Sequence, residues 1–142
     1  MPGFAEGLEN TVNQFKIYRI KDFIRKNASG TLDLERSKAL AQELALVASI
    51  HRRHNILIDL RDTNIVHGGL TQLMEVVMAF TRALPEFPGK IANIIPPGPE
   101  RERSAQVVES LMQMENFDYR YFTDYEAATS WLAEITTFTD RA

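Results

Sequence analysis

Cysteine is absent from this 142-residue chain. That removes disulfides, thiolate nucleophiles and Cys-ligated zinc or iron–sulfur centres in one step. A charge excess is missing too: sixteen Lys and Arg stand against nineteen Asp and Glu, a net charge of -3. There is then no global basic field to attract nucleic acid or anionic lipid. No stretch approaches the ~20 apolar residues of a membrane-spanning helix, the nearest being the short run Ile56 to Leu60. The first ten residues lack both the basic-then-apolar pattern of a signal peptide and the arginines of a transit peptide, so a cytoplasmic protein is expected. Repeats, low-complexity tracts and Gly/Ser linkers are also absent.

What is present fits one ordinary globular domain: 44% hydrophobic, 25% charged and 9% aromatic residues. The expected layout is a loose lead-in over 1–12, a domain over 13–137 and a short tail over 138–142. Gln14 to Ile20 alternates apolar and charged residues, the period of a half-buried strand. Lys21-Asp22 would turn it into a short returning strand, Phe23 to Lys26, and Asn27-Ala28-Ser29-Gly30 reads as a further turn. Asp33 is a suitable N-cap for a helix to about His51, with Leu40, Leu44, Val47 and Ala48 inward and Arg52-Arg53-His54 closing it with positive charge.

The nearly continuous apolar run from Asn55 to Leu60 predicts a central strand buried on both faces, left through a loop at Arg61-Asp62-Thr63-Asn64. After Gly68-Gly69, a second helix places Leu70, Leu73, Met74, Val77, Phe80, Thr81 and Leu84 on one stripe. Pro85, Pro88 and Gly89 stop it, and Lys90 to Ile95 is another strand, closed by Pro96-Pro97-Gly98-Pro99. A third helix from Pro99 carries Val108, Leu111 and Met112 inward. Asp118 to Phe122 is a last strand. Thr123 and Glu126 fit a capping box for a final helix with Ala128, Trp131, Leu132 and Ile135 on its inner face. The order β-β-α-β-α-β-α-β-α predicts an α/β domain with a mixed, mostly parallel sheet.

On these residues a family comes into view. The hairpin, the strand ending Ile58-Asp59-Leu60-Arg61-Asp62, the Lys90-Ile91-Ala92 strand and the segment Phe122-Thr123-Asp124-Tyr125-Glu126-Ala127-Ala128-Thr129-Ser130-Trp131-Leu132 resemble the SpoIIAA-like branch of the STAS superfamily, over about residues 14 to 135. The resemblance implies helices packed mainly on one face of the sheet and a protein that works by binding rather than by chemistry. Members of that branch include anti-sigma-factor antagonists switched by phosphorylation of a Ser in an Asp-Ser-Ser-Gly type motif at the start of the second helix. The corresponding stretch here, Val66-His67-Gly68-Gly69-Leu70, contains no Ser, and Thr63 and Thr71 are out of register. The family's switch is not carried over, and no phosphorylation site is expected.

Candidate site residues gather at the carboxyl edge of the predicted sheet, where open α/β folds place ligands. Asp59, Arg61 and Asp62 leave the central strand there; in the plainer reading Asp59 structures the loop while Arg61 and Asp62 form a solvated pair. Arg101 and Arg103 sit in the first turn of the third helix, against the dipole preference, so either Glu100 and Glu102 neutralise them or they await an anion. An anion or phosphate-headgroup site is expected from Arg61, His67, Arg101, Arg103 and the amides of Gly68, Gly69 and Gly98, with glycine geometry and helix initiation as the alternative use of those glycines.

No metal is expected, because His51 and His54 straddle a helix end without a nearby carboxylate. Neither a cofactor nor a catalytic residue is expected, since the chain has no Gly-x-Ser-x-Gly elbow. Phe80, Phe87, Phe117, Tyr119, Tyr121, Tyr125 and Trp131 are read as core and edge packing, with no nucleic-acid partner. Some of Met74, Met78, Met112 and Met114 must point outward and would mark a partner surface. The expected function is a non-catalytic regulatory or interaction domain that binds a protein partner or a second copy of itself. The alternative is a domain for a small anionic ligand or lipid headgroup, touching a membrane only peripherally.

Overall fold

The computed structural model describes residues 15–18, 23–51, 53–66 and 69–134. The expected lead-in, the tail, the hairpin turn, His67, Gly68 and Ile135 lie outside them. Along the chain run β1 (Phe15–Tyr18), β2 (Phe23–Leu32), α1 (Leu34–Ile50), β3 (Asn55–Ile65), α2 (Gly69–Ala83), β4 (Lys90–Ile94), α3 (Pro99–Met114), β5 (Asp118–Phe122) and α4 (Tyr125–Ala133). The strands form one sheet in sequential order. β1 lies antiparallel to β2, and the β2–β3, β3–β4 and β4–β5 pairs are parallel.

The apolar run in β3 explains the layering. Ile56, Leu57 and Ile58 are successive and all buried, so both faces of the strand must be covered. On one face Ile24, Ile56, Ile58 and Ile91 pack against Leu40 and Leu44 of α1, Val77 and Phe80 of α2, and Met112 of α3. On the other, Phe23, Leu57, Ala92 and Ile94 meet Ala128, Trp131 and Leu132 of α4. Among the described residues, three helices thus share one face and α4 alone covers the opposite one.

α4 is also fastened by polar contacts. The buried Lys90 amine donates to the carbonyls of Trp131 at 2.7 Å and Glu134 at 3.1 Å. It satisfies acceptors that a helix leaves open at its carboxyl end, where positive charge is favoured. Asn55 donates from its side-chain amide to the Leu132 carbonyl and accepts the Lys90 backbone N–H.

Two segments expected to turn are strand instead. Asn27-Ala28-Ser29-Gly30 continues β2, and Arg61-Asp62-Thr63-Asn64 continues β3. Past the end of β4 the two strands run on together, Ser29 through Leu32 paired with Asp62 through Ile65, as a parallel ribbon beyond the rest of the sheet. Polar and small residues serve there because Ser29, Gly30 and Thr31 on the ribbon are solvent-exposed. The pairing steps from Asn27–Asp59 to Ser29–Asp62, so β3 carries one extra residue, a bulge, around Leu60 and Arg61. The Thr63 hydroxyl bridges it by donating to the Leu60 carbonyl at 2.7 Å.

Helix ends follow side-chain chemistry. The Asp33 carboxylate accepts the Arg36 N–H at 2.8 Å, as expected for an N-cap. α1 ends at Ile50 with no basic residue in its last turn, so Arg53 and His54 follow the helix rather than close it. For α4 the cap is Asp124, whose carboxylate accepts the Ala127 N–H at 2.8 Å, and not the Thr123–Glu126 box. A one-residue shift in the start of the helix puts the carboxylate, a stronger acceptor than a hydroxyl, at the capping position. Asp124→Ala is expected to lower unfolding stability by about 1 kcal/mol in urea titration, with Thr123→Ala changing it by less than about 0.5 kcal/mol. The reverse order would restore the capping box.

Candidate functional site

The bulge in β3 decides which side chains face which layer. Asp59 and Arg61 point with Leu57 toward the α4 side, and Thr63 is buried on the side of α1, α2 and α3. The carboxyl edge is therefore split between two faces.

On the α4 side, the Asp59 carboxylate is buried and serves as acceptor for two arginines. Arg61 donates from Nε at 2.9 Å and from Nη2 at 2.6 Å, a two-pronged contact, and its backbone N–H adds a third bond at 3.2 Å. Arg25, one strand away on β2, donates to the same carboxylate at 3.0 Å. Both guanidinium groups lie over the Tyr125 ring, 4.9 Å and 5.5 Å from its centre. The ring face carries negative potential and favours the cations stacked on it. Burial pushes the Asp59 carboxyl pKa up, but hydrogen bonds and charge from Arg61, with the bond from Arg25, outweigh it and leave the net pKa below the ordinary value.

On the other side, the Arg101 guanidinium reaches from α3 into the ribbon. It donates to the Thr63 carbonyl at 3.0 Å and to the Thr63 hydroxyl at 2.8 Å. Burial lowers its pKa. At the start of α3, Gly98 has φ 146°, a conformation that side chains rarely adopt, and its N–H donates to the Glu102 carboxylate at 3.2 Å. Arg103 is exposed.

The residues expected to form one anion site are thus distributed: Arg61 on Asp59 and Tyr125, Arg101 on Thr63, and the Gly98 amide on Glu102. Asp62 is exposed on the ribbon, and Gly69, at φ 75°, opens α2. Arg25 and Tyr125 are the partners that sequence reading missed. Nothing local marks them, because the parallel register brings Arg25 beside β3 and the last crossover brings Tyr125 over it. His51 and His54 stack edge to face at 5.0 Å, and no group of three His, Cys, Asp or Glu among the described residues could hold a metal.

α2 differs from its expected stripe. Leu73, Val77, Phe80 and Leu84 are buried, while Leu70 and Met74, expected on the same face, are exposed together with Met78. The helix carries an inner row and a separate outer apolar row spaced by four.

No family model matches the chain, and no curated protein does. Among solved structures, it is similar to an uncharacterized protein from the DUF3478 family with a SpoIIAA-like fold, from Shewanella loihica PV-4. The similarity covers 83% of this chain and 91% of that one, with a TM-score of 0.55 at 20% sequence identity. The chain has the SpoIIAA-like α/β fold. No helix among the described residues is long and apolar enough to cross a membrane.

Because the folded Asp59 pKa is depressed, its contribution to stability is present above the unfolded pKa and is lost as pH falls through the folded pKa. Asp59→Asn is expected to cost about 1–3 kcal/mol at pH 7, as a charged hydrogen-bond acceptor is removed between two arginines. The gap between variant and wild type should close as pH is lowered below 4 in denaturation series. A constant gap across that range would show that Asp59 does not hold the arginines through its charge.

Proposed function

We propose that the chain is a non-catalytic interaction domain that docks a protein partner on the outer face of α2. The observation that carries this reading is the apolar row Leu70, Met74 and Met78, exposed by 59%, 47% and 40%, with Val66 exposed just before the helix. Residues four apart share one helical face, so the row is continuous. Single exposed apolar residues are ordinary on a protein surface, but an aligned row beside a fully used inner face marks a contact surface. Two of its members are methionines, whose flexible thioethers adapt to irregular surfaces. In the SpoIIAA-like proteins that the sequence resembles, the start of this helix is also where the regulatory Ser sits; here Val66 and Leu70 flank that position.

The anion-binding alternative has less support. Arg61 is engaged by Asp59 and Arg101 by Thr63, and Glu102 already accepts the Gly98 amide. A ligand there would have to displace internal partners.

The double variant Met74→Glu, Met78→Glu tests the docking reading. Both side chains are exposed, so stability should change by about 0.5 kcal/mol or less. Capture of the partner by the tagged full chain at native expression should weaken by about tenfold or more, since a charge at each contact must be desolvated. Sedimentation of the wild type alone separates a foreign partner, which leaves a monomer, from a second copy, which leaves a dimer. Undiminished capture by the double variant contradicts α2 as the docking face.

A further inference from the structure

Between the sheet and its three-helix layer lies a cavity of about 80 Å³. Ile58, Leu73, Val77, Phe80, Val108 and Met112 are among the residues of its wall. Native interiors contain few voids larger than one water, so an apolar space of this size beside the main core is unusual. Water suits it poorly, because each molecule needs two to four polar partners and the wall is largely aliphatic and aromatic.

One polar pair interrupts that wall. Asn93 of β4 and Tyr119 of β5 both line the cavity, and the Asn93 side-chain amide donates to the Tyr119 hydroxyl at 2.8 Å. The other end of the same amide, Oδ1, is buried and has no hydrogen-bond partner. Such a group carries a desolvation cost, which a ligand hydroxyl relieves once the amide turns its Oδ1 toward the cavity. A hydroxyl both donates and accepts, so it satisfies the free end of the amide in either orientation of that group. Half-buried Val76 on α2 and half-buried Arg101 and Ser104 on α3 also line the cavity.

We propose that this cavity binds a small, mainly apolar molecule bearing one hydroxyl, of the size of a phenol, with the hydroxyl on Asn93 and the apolar body among the side chains of α2 and α3. A cavity of about 150 Å³ lined by similar residues takes benzene. The smaller space here holds the hydroxyl and part of a ring, and the rest of the ring extends toward half-buried Arg101. This goes beyond the docking proposal and does not depend on it.

Phenol and toluene have the same ring, with hydroxyl replaced by methyl, and make the test. Each is titrated into the full chain with side-chain methyl and Asn93 amide resonances followed by NMR. Phenol is expected to move the methyls of Ile58, Leu73, Val77 and Val108 together with the Asn93 amide, and to bind about tenfold more tightly than toluene. Asn93→Leu should abolish that preference. Val108→Trp, at a half-buried position on the cavity wall, should block both probes while leaving Asn93 and Tyr119 in place. Methyls unmoved up to the solubility limit, shifts confined to surface residues, equal affinities in the wild type, or a preference that survives Asn93→Leu would each overturn the proposal.

Discussion

The two-sided burial of β3 is the constraint on which the rest of the structure depends. Three successive apolar residues, Ile56, Leu57 and Ile58, cannot be hidden by a helix layer on one side alone, because neighbouring side chains in a strand point opposite ways. α1, α2 and α3 cover one set and α4 the other. Where the apolar run ends, Asp59 is still within the covered region. A carboxylate there is stable only with strong partners, and Arg25 and Arg61 supply them over the ring of Tyr125. Lys90 plays a comparable part at the other end of α4, where its ammonium holds two carbonyls that the helix leaves open.

These contacts shape what the surface offers. Charged groups at the carboxyl edge are largely engaged within the molecule: Arg61 and Arg25 with Asp59, Arg101 with Thr63, Glu102 with the Gly98 amide. Of the large apolar side chains left exposed, Leu70, Met74 and Met78 fall in a row along α2 beside the residues that close the main core, while Leu46 and Ile50 lie on α1 and Met114 on α3. A helix with two neighbouring apolar rows is anchored by one and can present the other. The cavity beneath α2 and α3 belongs to the inner side of that same helix, with Asn93 as its single unsatisfied polar anchor.

Much of the architecture is legible in the residues. The β3 run, the proline stops after α2 and the alternation in β5 place strands and helices correctly, and their order implies the mixed, mostly parallel sheet. The ribbon formed by the ends of β2 and β3 is not legible, because Asn27 to Gly30 and Arg61 to Asn64 carry the composition of turns and become strand through a pairing distant in sequence. The one-residue bulge near Arg61 is equally silent in sequence, yet it sends Arg61 and Thr63 to different layers. That is why the arginines read as one cluster find separate partners. The outer row of α2 is hidden for another reason: Leu70 and Met74 satisfy the same helical periodicity as the buried Leu73 and Val77, and only packing separates them.

The proposed function resides in a displayed surface, the outer row of α2, and not in chemistry at the sheet edge. Its most direct measurement is site-specific photo-crosslinking inside the cell that makes the protein, with a benzophenone side chain placed at position 74 or 78, or at the exposed positions Ser110 on α3 and Glu126 on α4. Discrete covalent adducts are expected from 74 and 78 and none from 110 and 126. Adducts from 126 alone, or equal adducts from all four positions, would contradict it.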